Sequence, residues 1–289
     1  MKSLYLLSMK KQLILLLMFF GATGLVAQET NQTDAKGKKT GKWVVKYDNG
    51  ITRYTGNYKD GKPTGEFVYY YESGDLKSKM NFRSDGKTSY AKFYYEESAV
   101  LMSEGRFTDQ KKDSTWNYYD YNGNLTYTQE YKNDLENGKK IIYYVGGKKA
   151  EEYSFTDGKK NGTWAKYFES GKKKEEGNYA DDLEKGPKKV YYPSGKLEQE
   201  INYRNGLAHG LATYYPETGE PKYFYMRKGD IVPDKEVEDF KKELKEEKTK
   251  TDTKTKTGTT TKTGTATKTG TTTKTTTKTT TNVTKTDKK

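Results

Sequence analysis

The sequence predicts an all-β protein: an elongated, twisted antiparallel sheet of eight 24-residue β-hairpin repeats, then a short C-terminal helix and a disordered tail. Three observations predict it. Glycines recur in two columns at a nearly fixed step, tyrosines recur in register with them, and turn signals lie about 12 residues apart, the spacing of antiparallel hairpins. Composition agrees. Only 31% of the 289 residues are hydrophobic and the mean hydropathy is -1.13, too polar for one compact core of that length. Yet aromatics reach 14%, with 27 Tyr, which does not suit a wholly disordered chain.

Residues 1–27 read as a secretory signal. Met9-Lys10-Lys11 precedes the apolar run Leu13 to Phe20, and small residues lead to Ala27, where cleavage is expected. The run is short for a membrane span. Met1 and Met9 both stay open as the start. Residues 28–40 read as a linker.

The repeats occupy 41–233. One column holds Gly50, Gly74, Ser98, Gly123, Gly147, Gly171, Gly195 and Gly219; the step is 24 residues, with a single 25 between the third and fourth. A second holds Gly41, Gly65, Ser89, Ser114, Gly138, Gly162, Gly186 and Gly210. Four residues before the first column stand Lys46 and then Tyr70, Tyr94, Tyr119, Tyr143, Tyr167, Tyr191 and Tyr215. Each repeat reads as two strands and two turns. In the sixth, Thr163 to Phe168 is one strand, Glu169-Ser170-Gly171 a turn, Lys172 to Tyr179 the return, and 180–186 the turn onward.

Period-two alternation gives each hairpin an apolar and a polar face. Trp43, Val45 and Tyr47 share the first, as do Phe67, Tyr69 and Tyr71. Trp43, Phe67, Trp116 and Trp164 are the expected repeat core. The seven column tyrosines, Tyr70 to Tyr215, line the other face as a candidate binding ladder. Hairpins of this kind cannot bury a face alone, so they stack with nearest-neighbour contacts. Val237, Phe240 and Leu244 mark an amphipathic helix over 234–247, expected to cap the array. Residues 248–289 are almost wholly Thr, Lys and Gly and are expected to be disordered.

The net charge of +13 raises the question of nucleic acid, and its distribution answers it. Three lysines in 1–27, and eleven lysines against two aspartates in 248–289, carry nearly all of it. The repeats are close to neutral, and no nucleic acid is expected.

Few residues could do chemistry. There are 0 Cys, which excludes disulfides, thiol catalysis, Cys-rich zinc sites and a lipidated cysteine. The single His, His209, stands just before the second glycine column, where it reads as a turn residue. Glu151-Glu152, Glu175-Glu176 and Asp181-Asp182 suggest paired carboxylates, but each lies beside lysine in repeat register and reads as cross-strand charge. No phosphate or dinucleotide loop and no calcium loop is present. The expectation is a non-enzyme with no cofactor and no metal.

Gly41-Lys42-Trp43, Tyr58-Lys59-Asp60-Gly61-Lys62, Asn161-Gly162-Thr163-Trp164, Tyr191-Tyr192-Pro193-Ser194-Gly195-Lys196-Leu197 and Asn205-Gly206-Leu207-Ala208-His209-Gly210 carry a family pattern. The array resembles the MORN repeat, in the variant found in YwqK-family antitoxin-like proteins. The resemblance implies extended β-hairpin sheets used for protein or lipid contacts and scaffolding, with no common catalytic residue. Ser89, Ala91 and Ser98 in the third repeat and Asp120 in the fourth depart from it, so distortion or interruption is expected there.

The function expected is a protein-binding scaffold of the cell envelope, periplasmic or extracellular. Alternatives are a cell-wall or carbohydrate binder and an antitoxin or immunity-type role. A protein partner is expected first; self-association and wall glycan stay open, and direct membrane binding is not expected.

Overall fold

The computed structural model describes residues 29–257. The signal-peptide expectation and the part of the tail beyond Thr257 lie outside these. Two units are present, divided at Asp234.

The first unit is one long antiparallel sheet of 19 strands. Strands pair in chain order as a meander, except that Leu183–Glu184 and Gly186–Tyr191 both pair with Lys173–Ala180. The strands of successive repeats are Lys39–Lys46 and Thr52–Lys59, Lys62–Tyr70 and Leu76–Phe82, Thr88–Tyr94 and Leu101–Thr108, Lys111–Tyr119 and Leu125–Lys132, Leu135–Tyr143 and Lys149–Thr156, Lys159–Tyr167 and Lys173–Ala180, then Leu183–Glu184 with Gly186–Tyr191 and Leu197–Arg204, and Leu207–Tyr214 and Lys222–Arg227. Forward strands start about four residues earlier than the sequence suggested. The reason is the turn between repeats. In Asp60-Gly61, Asp157-Gly158 and Asn205-Gly206 both residues have positive φ. These are two-residue turns whose twist matches that of the flanking strands. The second glycine column lies inside the forward strand instead, and His209 with it, so His209 is a strand residue and not a turn residue.

Two further expectations are corrected. Residues 28–40 are not all linker, because Gln32–Thr33 pairs with Lys39 and Thr40. The third repeat is not interrupted: Thr88–Tyr94 pairs in continuous register from Thr88 to Phe93 with Leu101–Thr108. The added residue of the 25-residue step is absorbed in its turn. There Tyr95 N donates to Val100 O, whereas the matching bond elsewhere spans one residue fewer, as from Tyr71 N to Asp75 O. The divided forward strand is the seventh repeat's, where Lys185 interrupts it and its N–H bonds Asn178 O.

The inner face holds the core. Phe67, Trp116 and Trp164 are 1%, 1% and 4% exposed. Gly56 and Gly105 sit at bulges in their return strands, and the ring of the next strand lies across each. A Cβ on Gly56 would meet Phe67 at 2.3 Å, and one on Gly105 would meet Trp116 at 2.3 Å. Trp164 leans the other way, onto Gly177, because Tyr153 stacks against it from the preceding strand. Its Nε1 finds no partner, while Trp116 Nε1 donates to Arg106 O at 3.1 Å. Trp43 is only half-buried and donates to Gln32 O at 3.2 Å.

A second device ties repeat to repeat. Tyr47 OH donates to Tyr70 O, Tyr71 OH to Tyr94 O, Tyr95 OH to Tyr119 O, Tyr144 OH to Tyr167 O and Tyr192 OH to Tyr215 O, at 2.6–3.0 Å. Asp120 and Phe168 hold the equivalent positions in the other two junctions and cannot make the bond. Asp120 instead accepts from Asn122 N and Asn124 N and orders its own turn.

The second unit is helical. A 3-10 turn at Asp234–Glu236 leads into α1, Val237–Thr257. α1 runs past Glu247, where the amphipathic pattern ends, so residues 248–257 are helix and not tail. Lys241–Glu238 and Lys242–Asp239 pairs support its first turns, and Thr249 Oγ1 bonds back to Lys245 O. Among the described residues no helix is long and apolar enough to cross a membrane.

Gly105→Ala should lower unfolding stability by about 1–3 kcal/mol through overpacking against Trp116, read from urea denaturation. Phe168→Tyr should raise it by about 0.5–1.5 kcal/mol by supplying the missing bond to Tyr191 O, and Tyr144→Phe should lower it by a similar amount.

Candidate binding surfaces

The sheet presents two different surfaces. The outer carries the tyrosine ladder. Tyr70, Tyr94, Tyr119, Tyr143, Tyr167 and Tyr191 each end a forward strand, and Tyr215 follows one. All seven are half-buried. Two strands separate successive members, about 9–10 Å, and no ring contact joins any two of them among the described residues. Carboxylates fill the intervals. Tyr119 OH donates to Glu104 at 2.9 Å, and Tyr191 OH donates to Glu176. Burial and those hydrogen bonds push both phenols up to about 12.

The carboxylates are bound on their other side by lysine. Glu152 takes Lys139 at 2.9 Å and Lys149 at 2.6 Å, and these hold its carboxyl below the usual range. Burial opposes ionisation of Glu104 and Glu176. Tyr119, Asn117 and Lys92 outweigh it at the first, and Lys173 and Tyr191 at the second, so both are also lowered. The Glu-Glu pairs expected as cross-strand charge divide between faces. Glu152 and Glu176 are outer. Glu151 and Glu175 turn inward, where Tyr153 OH donates to Glu151 at 2.5 Å and Lys188 and Lys166 lie 3.3 and 3.9 Å from Glu175. Asp181-Asp182 forms a two-residue turn, and Asp182 accepts Lys160 N.

The inner face holds a furrow that sequence reasoning missed. Tyr58, Phe67 and Tyr69 stand on one side of it and Phe93 and Phe107 on the other, with Met80 and Phe82 on the strand between. It measures about 590 Å³ and ends at Lys87 and Asp109. A second hollow of about 630 Å³ shares Tyr69, Met80 and Phe93 and opens toward Arg53, Glu72 and Lys77. The cause is local. Ser78, Ala91 and Ser103 stand where other repeats carry bulky inner residues and are 4%, 0% and 6% exposed. Ala91 pairs with Met80 and Gly105, at the place where repeats two and four put Phe67 and Trp116. Without an aromatic at 91, nothing leans across Met80. The departure at Ala91 was the available signal; it marks an opening instead of an interruption.

Among the described residues, no three His, Asp or Glu side chains gather as a metal site. His209 is half-buried in its strand.

The lowered carboxyls set an acid limit. Each contributes stability above its ordinary value of 4.5, and loses it as pH falls through its depressed folded value. The urea midpoint should therefore drop as pH falls below about 4.5, and Glu152→Gln should flatten that drop.

No curated protein matches the chain. Among solved structures, a point mutant of S. aureus TarM in complex with fondaparinux, alpha-GlcNAc-glycerol and UDP aligns at 9% identity with a TM-score of 0.27, over 42% of this chain and 21% of that one. That overlap is too slight to bear on fold or function. The family model described as the MORN repeat variant matches residues 39–60, 63–84, 160–181 and 184–205, which are the first, second, sixth and seventh hairpins.

Proposed function

We propose that the chain is an exported, non-catalytic repeat protein that acts in the cell envelope as a protein-binding scaffold. The observation that carries this reading is the open aromatic inner face, with adjoining hollows of about 590 and 630 Å³. A repeat array offers many similar contact rows, and aromatic side chains supply contact area at low entropic cost. The outer ladder is a second surface of the same kind. Two of its phenols, Tyr119 and Tyr191, are bonded to carboxylates of the same face, so these offer ordered rows and not reactive groups. Export rests on the leader-like residues 1–27.

A cell-wall or carbohydrate ligand is a second reading, favoured by the ring faces beside Asp109 and Gln110 in the furrow. The antitoxin-like role rests on the family resemblance alone.

Crosslinking in cells followed by capture of the tagged chain tests the scaffold. One dominant protein is expected, and it should be lost with Tyr143/Tyr167/Tyr191→Ser if the ladder is the contact face. Recovery of wall polymer in place of protein would favour the second reading.

A further inference from the structure

The furrow differs from the rest of the inner face in one specific way. Return strands carry an aromatic at a fixed inner position, eight residues past the turn glycine in most repeats. At Tyr58, Tyr131, Phe155, Tyr179 and Tyr203 a lysine Nζ of this chain stands 4.9–6.0 Å from the ring centroid. The two remaining aromatics of the column are Phe82 and Phe107. Neither has an ammonium over it among the described residues, and both line the furrow.

The sequence explains the gap. In repeats one, four and six the ammonium comes from Lys39, Lys112 and Lys160, which hold equivalent positions near the start of the forward strand. Lys112 sits within reach of three rings, Trp116, Tyr118 and Tyr131, at 4.7, 5.2 and 5.0 Å. In repeat two that position is Pro63, which carries no charge. In repeat three it is Lys87, whose Nζ goes to Asp109 at 3.7 Å, with both side chains largely exposed. The furrow is thus an aromatic box of the kind the chain elsewhere closes with its own lysine, left open and edged by a carboxylate.

We propose that this furrow takes a lysine side chain of a protein partner, with the ammonium over Phe82 and Phe107 and beside Asp109. The inference rests on the protein-binding reading and names the group that reading would recognise. Attraction of an ammonium to a ring face is electrostatic and strengthens on desolvation, so an uncharged chain of equal length loses it. The space exceeds one side chain, so backbone flanking the lysine enters as well. Lys87 and Asp109 form a solvent-exposed pair of the kind worth little, so Asp109 is available to an incoming cation.

The test uses the full chain with carbon-13 methionine methyls, because Met80 lines both hollows. The probes are acetyl-Gly-Lys-Gly-Lys-Gly-amide and its norleucine counterpart. The Met80 methyl should shift saturably with the lysine peptide, and the norleucine peptide should bind at least about fivefold more weakly. Pro63→Lys, which installs the absent lysine and leaves every ring in place, should weaken the lysine peptide to a similar degree. Phe82→Leu/Phe107→Leu should do the same, with the Met102 and Met226 methyls unmoved as evidence that the sheet is intact. Equal binding of the two peptides, a silent Met80, or full binding by both variants would overturn the proposal. A Met80 shift that grows with protein concentration and no peptide would assign the furrow to a second copy and overturn it too. Cellular capture separates the two readings. A partner still held by Phe82→Leu/Phe107→Leu overturns the furrow as its site and leaves the scaffold standing. A peptide titration that behaves as expected, with no protein captured, supports the ammonium site and removes the scaffold.

Discussion

A one-layer sheet has to cover its own inner face, and here it does so by laying aromatic rings flat across glycines. Phe67 over Gly56 and Trp116 over Gly105 are the same arrangement repeated two hairpins on. The glycine is needed twice over. It leaves the space that a Cβ would fill, and it sits at a bulge that turns the return strand toward the ring. Burial of a Phe or Trp side chain contributes about 1.5–3 kcal/mol or more, which is how a chain with so few aliphatics closes a core.

The rest of the sheet follows from keeping that arrangement in register. Two-residue turns with positive φ fix every junction between repeats except the second to third, which is the longer turn 83–87, and tyrosine hydroxyls bond the carbonyl at the end of the next forward strand. These bonds are made at the edge, so the inner residues can vary without loss of pairing. The third repeat shows it. Ala91 and Ser103 stand where other repeats carry aromatics and its turn is one residue longer, yet Thr88–Tyr94 stays paired on both sides.

The hairpin count, the faces and the buried Phe67, Trp116 and Trp164 were legible because glycine and tyrosine columns encode backbone geometry directly. The furrow was not, because it depends on which way each ring leans. Trp116 and Trp164 occupy the same column and lean in opposite directions, decided by Gly105 before one and Tyr153 before the other. That is a pairwise property of adjacent strands, and a column read one position at a time does not contain it. Glycines at 56, 105 and 177, six or seven residues past the turn, were the visible trace. The split of Glu151 from Glu152 was legible in principle, since period two sends neighbours to opposite faces. The start of α1 was legible from Val237 and Phe240, whereas its end was not, because lysine and threonine mark no boundary.

The two halves of the inner face answer the same problem differently. From the fifth repeat onward the covering groups are Lys140, Glu151, Lys166, Glu175 and Lys188, which pair with each other and with the rings beside them. Such a surface is satisfied within the chain, and displacing any member would strand a partly buried charge. Between the second and third repeats the covering groups are rings and small side chains, with no charge over them. A ligand entering there displaces no internal partner except the exposed Lys87 from Asp109. Association is favoured where apolar surface is removed from water without breaking bonds already made. By that criterion the third repeat, the one furthest from the pattern, is where the sheet is best prepared to bind.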